Sequence, residues 1–182
     1  VPTFLNGLPV HVLIVHATVV AVPLAALVAV IVALVPRLRR RYGWVAVAVA
    51  AVATVLVPMT TSAGEGLEAR MEHSAAIEKH AELADAMIWL VLPLLVALAA
   101  LVALDTYRLR NARAEGPGTM TAERRAVGAP AWTRFVSIAL IVVTCGFAVA
   151  STVQIVRVGD AGSRAAWGDE QYTAPHGGGD GD

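Results

Sequence analysis

The chain has 182 residues, 57% of them hydrophobic and 15% charged, with a formal net charge of zero. That balance, with a mean hydropathy of +0.67, excludes an ordinary soluble domain and predicts an integral membrane protein. No basic tract interleaved with aromatics occurs, so nucleic acid is not an expected ligand; the lone Cys145 forms no intramolecular disulfide and no Cys-x-x-Cys zinc spacing.

The opening stretch Val1–Val10 has no Lys or Arg and no small-x-small cleavage site, so it does not read as a cleavable signal. Four nearly uninterrupted apolar runs follow, roughly Val12–Val35, Trp44–Met59, Ala86–Leu104 and Phe135–Val156. A helix rises about 1.5 Å per residue, so each run can cross, or nearly cross, a hydrocarbon core of about 30 Å. The expected spans are 12–35, 44–62, 84–104 and 135–156, within a membrane domain of residues 1–168. The second run alternates Val and Ala like a strand, but its uncharged length between charged flanks decides for helix. Pro23, Pro58 and Pro93 should bend or loosen their helices. Trp44, Trp89, Trp132 and Tyr107 fall where amphipathic rings anchor at the bilayer surface.

The connections divide by charge. Pro36–Tyr42 carries four arginines and 105–134 carries six against three acids. Between the second and third runs, Arg70 and Lys79 face Glu65, Glu68, Glu72, Glu78, Glu82 and Asp85. The positive-inside rule places the two arginine-rich connections in the cytoplasm, with both termini and the acidic connection extracytoplasmic. After a break at Ser62–Gly64, the segment 65–82 is rich in Ala, Glu, Leu and Met, which predicts an outer helix or an outward extension of the third span. The Gly-rich tail 169–182, which holds His176, should be flexible. No internal repeat is evident in the residue string. The expected fold class is all-α, an integral membrane four-helix bundle in a bacterial plasma membrane.

Four of the five histidines, His11, His16, His73 and His80, flank the outer ends of these runs. Ionisable rings at membrane depth mark chemistry more often than packing. His11 and His16 lie five apart, about 140° around a helix, and should play different roles. His16 lies deeper, among Val15, Ala17, Val19 and Val20, and should face the bundle interior or a wet cavity. His73 and His80 lie seven apart and would share a helix face.

Three readings stay open for this cluster. The first is haem b between histidines of different helices, His16 with His80 and His11 as the alternative. Ala17, Ala21, Ala25, Ala81 and Ala84 would leave room for the macrocycle, and Arg70, Lys79 or Arg157 would meet its propionates. The second is a copper or zinc site using His73, His80 and an acid from Glu68, Glu72 or Asp85. The third binds nothing, the rings capping helices or lining a surface for a partner. Such an accessory subunit would pack against a respiratory complex, or another copy, through Gly146, Ala148 and Ala150. No Ser sits in a nucleophile elbow and no phosphate loop exists, so an enzyme is not the expectation.

The residues Gly7-Leu8-Pro9-Val10-His11, with His16 five positions on, resemble the opening of a bacterial membrane-protein family catalogued as domain of unknown function 2231. Glu78-Lys79-His80-Ala81 and the stretch Val156–Gly162 with Trp167 extend the resemblance over most of residues 7–168. Val12 stands where relatives often have Pro, and Ala17-Thr18 replace a common aromatic and proline. The resemblance implies a four-helix membrane unit. Some relatives are joined to Rieske-type iron–sulfur domains, which implies a respiratory or redox setting with haem as cofactor. No Rieske cysteine–histidine pairs occur here, so such a cluster would lie on another chain.

Overall fold

The computed structural model describes residues 4–5, 8–70, 74–114 and 131–167, of which 4–10, 112–114 and 131 are described by backbone alone. A two-residue antiparallel pair, Phe4–Leu5 with Leu8–Pro9, precedes the helices. Five helices follow among the described residues: α1 Val10–Leu34, α2 Pro36–Glu68, α3 Ala75–Asp85, α4 Ile88–Ala114 and α5 Ala131–Trp167. Four of them, with α3 continuing into α4, are long and apolar enough to cross a membrane. The all-α bundle expected from the sequence is therefore present.

The helices exceed the apolar runs because their ends are not where the apolar residues stop. Only Val35 separates α1 from α2. Pro36 starts α2, a position where its missing N–H costs nothing, so the arginines expected in a connection lie on the first turns of a helix. At the other end Ser62–Gly64 does not break α2, which continues to Glu68. The single helix expected over 65–82 is instead the tip of α2 and a separate α3. Ser74 caps α3 by accepting from the Ile77 N–H at 3.3 Å. Pro23, Pro58 and Pro93 lie inside continuous helices.

In cross-section α1, α2, α4 and α5 form a ring in that order, with α1 and α4 on one diagonal. The short α3 lies against α5 and the tip of α2. The core is built of Val22, Ala25, Ala29, Ala46, Ala50, Leu98 and Val102. Small residues matter here because lipid is as apolar as the core, so helix association depends on close van der Waals contact. Gly43 shows the limit: a Cβ there would stand 2.9 Å from a Val102 methyl. The outer surface carries Val20, Leu27, Val55, Val142 and Val156, all exposed, as lipid contact requires. Trp44, Trp89, Trp132 and Tyr107 are likewise exposed.

At one end of the ring Arg39 is buried and Asp105 mostly so, at 7% and 12% side-chain exposure. Arg39 donates from Nε to Asp105 Oδ2 at 2.7 Å and from Nη1 to the Ala33 carbonyl at 2.7 Å. Arg108 lies 3.8 Å from Asp105 Oδ1 and donates to Ser137 Oγ at 2.9 Å and to the Thr133 carbonyl. These bonds tie all four long helices together. At the opposite end sit the histidines.

Candidate functional site at the histidine end

His11 sits in the first turn of α1 and is half-buried. Its Nδ1 is 3.1 Å from the Thr60 carbonyl on α2. His80, in the middle of α3, places its Nδ1 3.0 Å from the Val158 carbonyl on α5. A carbonyl can only accept, so in each ring Nδ1 carries the proton. In the neutral imidazole the free lone pair is then on Nε2, the nitrogen available for a metal. A backbone carbonyl holding Nδ1 is the outer-shell arrangement that orients metal-binding histidines.

Both rings line one cavity of about 320 Å³, within the size range of small-molecule sites. Its walls are largely small or apolar: Val15, Gly64, Leu67, Ile77, Ala81, Ala84, Gly162, Ala165 and Ala166. Thr60 and Thr61 also line it, with the acidic residues Glu65, Glu68 and Asp85. Elsewhere α1 is pinned to α2 by a buried hydroxyl pair, Thr18 and Thr60, at 2.6 Å. Gln154 pins α3 to α5 by donating to the Leu83 carbonyl at 2.8 Å.

His16 does not join them. The inward face of α1 carries Thr18, Val22 and Ala25, and a residue two positions before Thr18 lies about 200° around the helix. His16 is accordingly exposed, its Nδ1 held 2.6 Å from the Val12 carbonyl of its own helix. The expectation that it faces the interior is corrected, and His11 takes its place beside His80. The same phase argument that separates the two rings assigns the inner one once Thr18 is known to be buried.

The other expected residues distribute as follows. Ala81 and Ala84 line the cavity, Ala25 is in the bundle core and Ala17 is exposed. Lys79 is exposed and pairs with Glu82 at 2.7 Å, away from the lining. Arg70 is exposed in the turn after α2 and is not part of the lining. Arg157 lies on the outer α4–α5 groove with Trp89. Glu68 does share the cavity with His80; Glu72 and His73 lie outside the described residues, as does His176. Among the described residues no three His, Cys, Asp or Glu side chains form a metal-ion set. Ala148, expected to meet a partner, is buried within the bundle, whereas Gly146 is exposed. Sequence reasoning missed Gly64, Gly162 and the two carbonyl acceptors.

The model of a family described as Predicted membrane protein (DUF2231) matches residues 7–175. No curated protein and no solved structure matches the chain.

Proposed function

The chain belongs to the domain of unknown function 2231 family of membrane proteins, and from that premise we propose that it is a haem-b-binding, electron-transfer-associated protein in which His11 and His80 would hold the haem. One observation carries this reading. Two imidazoles on different helices share a cavity, and each has its Nδ1–H committed to a backbone carbonyl. The donor set suits haem iron, and Ala81, Ala84, Ala165 and Ala166 keep the wall of the cavity low. Bound there, the group supplies one-electron redox chemistry.

The protein's own part is orientation and charge. The Thr60 and Val158 carbonyls hold the rings and make them more basic ligands. Glu65, Glu68 and Asp85 place negative charge on the same wall, which favours the more positive, oxidised centre and so a low midpoint potential. The arginine end faces the cytoplasm of a bacterial plasma membrane, and both termini and the cavity face the other side. A redox partner of respiratory or Rieske type would then meet the protein outside the cytoplasm.

Haem-supplemented expression followed by a reduced-minus-oxidised spectrum tests the reading. A Soret band with split α and β bands is expected, lost in His11→Ala and in His80→Ala and kept in His16→Ala. Colourless, iron-free protein rejects it. A copper or zinc site is the reading if elemental analysis finds either metal in stoichiometric amount. A second feature favours an accessory role alongside: α5 is the least buried of the four spans, with Phe135, Val142, Val149 and Val156 exposed, a face suited to another membrane subunit. Co-purification with a redox complex in mild detergent tests that role.

A further inference from the structure

The two histidines are held in the same way, and the sameness extends along the bundle. His11 bonds to the carbonyl of Thr60 and packs on Gly64, four residues further along α2. His80 bonds to the carbonyl of Val158 and packs on Gly162, four residues further along α5. His80 follows His11 by 69 residues, and Val158 and Gly162 follow Thr60 and Gly64 by 98.

Those two offsets, set by the histidine braces alone, also carry buried positions onto buried positions. At 69, Thr18, Val22 and Ala29 fall on Met87, Val91 and Leu98. At 98, Ala46, Ala50 and Val57 fall on Thr144, Ala148 and Ile155. Thr54 donates to the Ala50 carbonyl, and its counterpart Thr152 donates to the Ala148 carbonyl. Two helices agree in phase at only about one offset in 3.6, and both pairs agree here. The ring order α1, α2, α4, α5 completes the relation, because a two-fold axis along the bundle exchanges α1 with the α3–α4 segment, which turns at Ala86-Met87 where α1 runs straight, and α2 with α5. This is a parallel repeat of the kind membrane proteins use to place sites between halves.

We infer that the chain is a duplicated helical hairpin, that the histidine cavity lies between its two halves, and that Gly64 and Gly162 are matched positioning residues presenting His11 and His80 as equivalent ligands to one bound group. A group that accepts two equivalent imidazole nitrogens suits such a site, a metal macrocycle above all. That last clause rests on the haem reading; the duplication and the glycine brace do not. The glycines let the rings pack where a side chain would displace them. A Cβ at Gly162 would stand 2.9 Å from His80 Cε1 and 3.0 Å from its Nδ1. At Gly64 the corresponding distances to His11 are 3.1 and 3.3 Å.

The test uses full-length protein in lipid nanodiscs without added haem, labelled with 15N-histidine. Signals of a protonated Nδ1 and an unprotonated Nε2 are expected for both His11 and His80. Gly162→Ala should displace the His80 signals alone and Gly64→Ala those of His11 alone, with the larger shift at Gly162. If Gly162→Ala folds poorly, adding His80→Ala should restore its melting temperature to that of His80→Ala by itself. Unchanged imidazole signals in both alanine variants, or a Gly162→Ala defect that His80→Ala does not relieve, overturns the brace. In haem-loaded protein the two variants should each weaken binding by about tenfold or more. Wild-type protein that shows the imidazole signals and takes up no haem sinks the haem reading and leaves the brace standing.

Discussion

The two ends of the bundle solve opposite problems with similar materials. At the arginine end, Arg39, Asp105 and Arg108 turn inward and pair with one another and with carbonyls of α1 and α5, leaving Arg108 Nε as the one buried nitrogen of the three without a hydrogen-bond partner among the described residues. At the histidine end, polar groups also turn inward, but they surround a cavity and leave each Nε2 open. The difference extends to symmetry. Arg39 on α2 occupies the place that Ser137 takes on α5, so the clasp departs from the repeat that the histidine braces obey. An end that closes a bundle can use any complementary set of charges. The histidine end instead keeps its two halves alike, each ring on a carbonyl and a glycine four residues apart.

Asp105→Asn tests the first half of this contrast most severely. Removing one member of a buried ion pair leaves its partner desolvated and unpaired, typically at a cost of about 3–5 kcal/mol. Arg39, 7% exposed, would be that partner. Unfolding in mild detergent should register a loss of this size. A variant as stable as the wild type would mean that water reaches the clasp and that it does not hold the end together. Hydrogen exchange should rank the ends in the same order, with α3 and the tip of α2 opening before the first turns of α2 and α5.

Much of the architecture was legible because bilayer thickness acts directly on the residue string. Four apolar runs with charged flanks admit few other arrangements, and the four long helices follow from them. Their ends were less legible. Ser62–Gly64 reads as a stop, yet a glycine inside a helix costs only about 1 kcal/mol, and the contact of Gly64 with His11 gives it a reason to be there. Arg39 reads as one of four solvated arginines in Pro36–Tyr42. Only the position of Asp105 on a neighbouring helix distinguishes it, and that pairing spans 66 residues. The site was half legible. His80 and the separation of His11 from His16 came from spacing, but which of those two rings points inward depends on the phase of α1. The repeat was hidden because little but histidine, glycine and the inward phase survives in both halves.

Gln154→Leu probes the histidine end at a lower cost. The side chain, 8% exposed, donates to the Leu83 carbonyl and ties α3 to α5. Its loss leaves a partly buried acceptor unmatched, an effect of about 1–3 kcal/mol. Most of it should appear as faster exchange in α3, with the arginine end unaffected. Uniform destabilisation of the whole bundle would show that the two ends are one cooperative unit.

Thr18→Val is the smallest of these changes and the sharpest on mechanism. The Thr18–Thr60 hydroxyl pair is buried at 2.6 Å, and hydrogen bonds between membrane helices average only about 0.6 kcal/mol. Thr60 also donates to the Leu56 carbonyl at 2.8 Å, so valine at position 18 leaves that hydroxyl partnered. Stability should therefore change by less than about 1 kcal/mol. The carbonyl that holds His11 belongs to the same Thr60. If the hydroxyl pair fixes the register of α1 on α2, Thr18→Val should move the His11 imidazole signals and leave those of His80 in place. A shift in both would mean that the halves are coupled through the cavity, and a shift in neither would assign the register to the Ala and Val packing below.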